Sequence, residues 1–115
     1  MSAQLLICVV NEPSKVEEIL EAFLDIGVTG ATIIDTYGMG GILASDIPIF
    51  AGFRQLLSGS GSNNKTIFSV IDSEETLQAT VQAIEQVCGN LDDPSTGIVF
   101  TIPVSFVKGL RPEIS

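Results

Sequence analysis

Gly38-Met39-Gly40-Gly41 is the stretch of this sequence best suited to holding an anion. Consecutive glycines let main-chain amides converge on one point without side-chain obstruction. The run lacks the spacing and following helix of a dinucleotide fingerprint, and it lacks the Gly-Lys-Ser/Thr of a P-loop. The same glycines would serve a mobile loop as a hinge. Asp92-Asp93-Pro94-Ser95-Thr96-Gly97 offers two carboxylates to a metal, or simply forms a solvated turn. Glu74 and Glu75 suit the first turn of a helix without any further role. Ser58, Ser60 and Ser62 could accept phosphate, yet a flexible linker uses the same residues. Cys8 and Cys88 each fall inside apolar periodic segments and are expected as free, buried thiols in a reducing cytoplasm. The sequence contains no histidine. That removes Ser-His-Asp and Cys-His catalysis, HExxH zinc sites and histidine pH switching. No candidate nucleophile has a partner base, so no catalytic residue and no metal site is assigned.

The elements that must position these residues follow from periodicity. Gln4 to Val10 is a short strand, apolar on both faces: Leu5, Ile7 and Val9 point one way, Leu6, Cys8 and Val10 the other. Ser14 and Glu17 form a capping-box pattern ahead of a helix whose buried stripe is Val16, Ile19, Leu20 and Phe23, with Leu24 as a further candidate at its border. Gly27 ends it. Ala31 to Tyr37 reads as a second strand. The order then repeats. Thr66 to Ile71 is a strand, and Asp72 with Glu75 repeats the cap. Leu77, Val81, Ile84, Val87 and Cys88 form a helical stripe, Gly89 ends it, and Ile98 to about Val104 is the last strand. Two strand-helix-strand units predict an α+β, ferredoxin-like βαββαβ fold: an antiparallel four-stranded sheet with two helices on one face.

Between the units lies a long insertion at about 38–64, functional or disordered on length alone. Its middle is apolar (Ile47, Pro48, Ile49, Phe50, Phe53, Leu56, Leu57) and suits a short helix; Ser58 to Asn64 reads as flexible. The whole 115-residue chain is expected to be a single domain, because two cores would each be too small. Two helices cover one face of such a sheet. Leaving the other apolar set of the first strand in water would forfeit ~1.5–3 kcal/mol per large side chain. An obligate homo-oligomer is therefore expected, unless the apolar loop folds over that face. Charge excludes other partners. Fourteen acidic against five basic residues give −9, and no two of Lys15, Arg54, Lys65, Lys108 and Arg111 are adjacent. Nucleic acid and anionic lipid require clustered cations. The longest apolar run, Leu5 to Val10, is too short to span a bilayer, and no signal-peptide pattern is present, so a cytoplasmic protein is expected.

Ile26-Gly27-Val28-Thr29-Gly30-Ala31-Thr32, leading into Tyr37-Gly38-Met39-Gly40, resembles the segment that opens the T-loop of PII-type nitrogen regulatory proteins. Thr96-Gly97-Ile98-Val99-Phe100 with Pro103-Val104 resembles their last long loop and strand. The similarity runs from about Gln4 to Leu110. It implies a homotrimeric sensor rather than an enzyme, with the long loop gripping a membrane transporter or a metabolic enzyme. It also implies an adenine nucleotide in the cleft between subunits. Carried over, Gly30, Ala31 and Thr32 meet the base. Gly38, Met39, Gly40 and Gly41 give amides to the phosphates, and Thr96 and Gly97 close the site from the facing loop. Ile47, Ile49, Phe50 and Phe53 are the candidate partner-docking residues.

The departures from the family pattern shape the ligand expected. Gly41-Ile42-Leu43 stands where a cationic or amide-bearing run is usual. Ile42 takes the place of the glutamine that helps hold Mg-ATP and 2-oxoglutarate, and Gly97 that of a late-loop lysine. Tyr37 is no counterpart of the modified tyrosine. Few cations remain to offset a triphosphate. ADP, AMP, a cyclic nucleotide, or bicarbonate alongside a nucleotide is expected over ATP with 2-oxoglutarate. Two other functions fit the same residues: an interaction trimer without a nucleotide, and a small metal- or anion-binding protein using Asp92 and Asp93.

Overall fold

The computed structural model describes residues 3–46, 63–94 and 96–110. Four strands, β1 (Gln4–Val10), β2 (Thr32–Tyr37), β3 (Asn63–Ile71) and β4 (Gly97–Pro103), form one sheet in the order β2-β3-β1-β4. Every neighbouring pair is antiparallel. Helix α1 (Val16–Asp25) joins β1 to β2, a short α2 (Met39–Asp46) follows β2, and α3 (Glu74–Cys88) joins β3 to β4. The expected ferredoxin-like βαββαβ order is the one observed.

The core lies between the sheet and the two long helices. Leu6, Cys8 and Val10 of β1 and Ile67 and Ile71 of β3 face Ile19 and Phe23 of α1 and Ile84 of α3; all are almost fully buried. The period-2 alternation of β1 decides this: Leu6, Cys8 and Val10 are buried, and Leu5, Ile7 and Val9 only partly.

Helix ends differ from the sequence expectation at both starts. Ser14 does not cap α1. Pro13 opens a 3₁₀ turn over Pro13–Lys15, and Lys15 leads into the helix without a side-chain cap bond. A proline with fixed φ starts the turn early, so Ser14 already lies inside helical backbone. At α3 the cap is Ser73 rather than Asp72: its side chain accepts from the Thr76 amide at 3.3 Å. The glycine stops hold. Gly27 and Gly89 both take left-handed φ, 93° and 95°. After α1, the Val28 amide donates to the Phe23 carbonyl at 2.8 Å, which satisfies the helix's last turn.

β3 begins earlier than expected, at Asn63, so Asn63 and Asn64 belong to the sheet and not to a flexible run. Thr36 of β2 explains this: its hydroxyl bonds the Asn64 side chain and, at 2.8 Å, the Thr66 hydroxyl.

Cys8 is buried and Cys88 half-buried, and both are free. Burial pushes the Cys8 thiol up from 9.0 to about 12, with Cys88 acting in the same direction. Burial also raises Cys88, with Lys15 opposing it. The stability gained by keeping Cys8 neutral is fully present below pH 9 and is lost as pH rises towards 12. Alkaline titration of unfolding should therefore fall more steeply in this window for the natural chain than for Cys8→Ala. Equal slopes would remove the burial account.

Candidate functional site

The turn before β2 is the first part of the site. Val28 is buried beneath it, whereas Thr29, Gly30, Ala31 and Thr32 are exposed. These four residues line a concavity of about 570 Å³ against Phe68 and Val70 of β3. Gly109 and Leu110, from the chain after β4, complete its rim. So Gly30, Ala31 and Thr32 lie together in one depression. Gly30 has no left-handed φ, and a Cβ built on it meets nothing within 4 Å. Nothing in the protomer's own packing requires glycine there.

The glycine cluster stands at the far end of β2. It is not a loop: Met39, Gly40 and Gly41 open α2, and the Ile42 amide already donates to the Gly38 carbonyl at 3.1 Å. The expectation that no helix follows the glycines is thus corrected. Met39, Ile42, Leu43 and Ala44 favour helix, and no proline interrupts before Pro48. The amides of Met39, Gly40 and Gly41 are the ones that a helix leaves free at its start. They form a helix N-terminus rather than a glycine nest. About six strand residues, or roughly 20 Å, separate them from Thr32 along the β2 edge.

Thr96 and Gly97 lie elsewhere. Thr96 immediately precedes β4 and Gly97 opens it, on the opposite edge of the sheet from β2 and about 14 Å away across three strand spacings. The pairing of Gly97 with Val10, and of Val10 with Lys65, puts them at the same end of the sheet as the glycine cluster. Gly97 and Ile98 line a second concavity of about 460 Å³ with Leu77 and Val81 of α3. Gly97 has φ 143°, and a Cβ there would come 2.5 Å from the Val9 carbonyl oxygen. Its glycine is demanded by the fold itself. The docking residues Ile47, Ile49, Phe50 and Phe53 lie outside the described residues.

Among the described residues, the second face of the sheet is apolar and lies on the side away from α1 and α3. Cross-strand rows on it are Phe68–Ile7–Phe100, Val70–Leu5–Ile102 and Thr66–Val9–Ile98. Phe100, Ile102 and Ile98 are 44%, 47% and 54% exposed. Thr36, Asn64 and Thr66 form a polar corner of this face beside Gly38.

Electrostatically, none of the described residues that wall the 570 Å³ concavity carries a charged side chain. Lys65 is already paired with Asp35, directly opposite it on β2. Asp92 and Asp93 are exposed, on a turn in which the Asn90 side chain accepts from the Asp92 amide at 2.9 Å. Among the described residues no group of three or more Asp, Glu, Cys or His side chains could hold a metal ion. No helix among them is long and apolar enough to cross a membrane.

Sequence reasoning missed the β3 floor, the Gly109–Leu110 rim and Ser69. Ser69 donates its hydroxyl to the Gly30 carbonyl at 2.7 Å. A serine between Ile67 and Ile71, at an inward position of an apolar strand, was the available signal.

Residues 4–114 match the sequence family described as nitrogen regulatory protein P-II. Among solved structures, the crystal structure of Arabidopsis thaliana PII bound to citrate is similar, with a TM-score of 0.63 at 16% identity. The alignment covers 90% of this chain and 76% of that one. No curated protein matches the sequence.

Proposed function

The chain belongs to the nitrogen regulatory protein P-II family, and from that premise we propose that it is a trimeric sensor of an adenine nucleotide. The ligand sits between neighbouring subunits, and the 38–64 insertion docks on a transporter or a metabolic enzyme. Family members are regulatory signalling proteins, and no catalytic step is assigned here.

The observation that carries this reading is the split of the site across the sheet. Gly30–Thr32 and Gly38–Gly41 share the β2 edge, while Thr96 and Gly97 share the β4 edge. Within one protomer they cannot meet. The uncovered apolar face supplies the force for association, and association is what could set the β4 edge of one copy beside the β2 edge of the next. A nucleotide lying along β2 would then have its base near Gly30, Ala31 and Thr32. Its phosphates would point along β2 towards the end that bears the amides of Met39, Gly40 and Gly41, without spanning the roughly 20 Å of strand between. The citrate bound by the Arabidopsis relative is consistent with a fold that takes small anionic effectors. The uncharged wall and the engaged Lys65 favour ADP, AMP or a cyclic nucleotide over ATP with 2-oxoglutarate. The same scarcity of cations favours the second reading, an interaction trimer without nucleotide.

Thermal unfolding with ATP, ADP, AMP and cyclic AMP, each with and without Mg²⁺, 2-oxoglutarate and bicarbonate, separates the two. A ligand at a hundred times its Kd adds ~2.7 kcal/mol of stability. Gly30→Val should leave the ligand-free midpoint unchanged, because its Cβ meets open space, and should abolish the shift. A flat response to every nucleotide would leave the second reading.

A further inference from the structure

Ser69 points from β3 into the core and is only 3% exposed. A hydroxyl buried there is costly unless it finds a partner. Its partner lies outside the regular sheet. The β2–β3 ladder starts at Thr32 opposite Phe68. In the same register Ser69 falls opposite Ala31, where the ladder has already stopped. The side chain takes over at that point: Ser69 Oγ donates to the Gly30 carbonyl oxygen at 2.7 Å. The turn is thereby peeled from β3, yet tethered to it. The gap opened by that peeling is the concavity walled by Thr29–Thr32 on one side and Phe68 and Val70 on the other.

We propose that Ser69 is a positioning residue of the ligand site, acting through Gly30 to hold the Thr29–Thr32 turn in the shape that admits the base of a nucleotide. The inference rests on the nucleotide reading above. A turn containing glycine and lacking ladder bonds samples many shapes. Fixing one of them before the ligand arrives lowers the ordering cost of binding. Ser69 therefore sets affinity by pre-organisation.

The test uses the full-length, assembled protein with ADP as probe. Ser69→Ala removes the hydroxyl and little volume; Ser69→Thr keeps the hydroxyl. Amide exchange at residues 30–32 and the ADP dissociation constant are measured for both. In Ser69→Ala, exchange there should quicken and ADP binding should weaken, each by about tenfold, the loss expected for one hydrogen bond. Ser69→Thr should restore both. Exchange in β1 and α3 should not change in either variant. A purely structural role would instead loosen β1 and α3 along with the turn and leave the affinity of the folded protein intact, which would overturn the proposal. Unchanged exchange at 30–32 in Ser69→Ala would overturn it as well. If the natural chain binds no nucleotide, the functional reading fails and the positioning role falls with it. The exchange result then still reports whether the tether holds the turn.

Discussion

Phe100→Asp is expected to dissociate the assembly into protomers. Phe100 lies in the middle row of the uncovered face, level with Ile7 and Phe68. In a lone protomer it is 44% exposed on an edge strand, so an aspartate there stays hydrated and the fold survives. In the assembly the same carboxylate would be enclosed by apolar side chains from neighbouring copies. The effective penalty for enclosing an unpaired ion is several kcal/mol, and a trimer would meet it three times. Light scattering should report about three times the 12.1 kDa protomer for the natural chain and about one for the variant. Leu24→Asp is the control, since Leu24 is 58% exposed on α1, which packs on the other face. It should leave the assembly intact. A natural chain that is monomeric at micromolar concentration, or a Phe100→Asp variant of unchanged mass, would remove the inter-subunit site.

Replacing Gly97 should have the largest effect on protomer stability. Its φ of 143° is unfavourable for any residue with a Cβ, and that Cβ would sit 2.5 Å from the Val9 carbonyl oxygen. The obstacle is backbone, not the movable end of a side chain. Gly97 opposes Val10 at the start of the β1–β4 ladder, so relief requires β4 to lift from β1. The expected loss is ~3 kcal/mol or more for Gly97→Val, in the range of severe core and backbone defects. Urea unfolding should show a lower midpoint with an unchanged slope. A loss under ~0.5 kcal/mol, the size of an ordinary surface change, would mean that the strand end adjusts freely. The contrast with Gly30 matters for function. Loss of ligand binding in a Gly97 variant would report a damaged edge, whereas loss in Gly30→Val would report the site.

Local pattern was enough for much of the fold. The alternation in Gln4–Val10, the apolar stripe through Ile19 and Phe23, and the stops at Gly27 and Gly89 each depend on neighbours within a turn or two. The Thr29–Thr32 turn, singled out by its resemblance to the PII segment, lines a concavity. Where local signals competed, the sequence was ambiguous. Ser73 rather than Asp72 caps α3, because the helix opens at Glu74 and the Ser73 side chain is the one placed to accept from the Thr76 amide. Glycines that suggested a loop entered α2, because the residues after them favour helix.

The sequence by itself determined a two-faced central strand, two amphipathic helices each ended by a glycine and hence the ferredoxin-like order, because period and chain reversal are short-range properties. It also carried the family resemblance, and the shortage of cations that bears on the ligand. Only the tertiary structure decided that Gly97 presses on Val9, that Ser69 reaches Gly30, and that the candidate site residues divide between opposite edges of the sheet. Those facts join residues distant in the chain, and such distances are fixed by strand order and register, which no local pattern encodes.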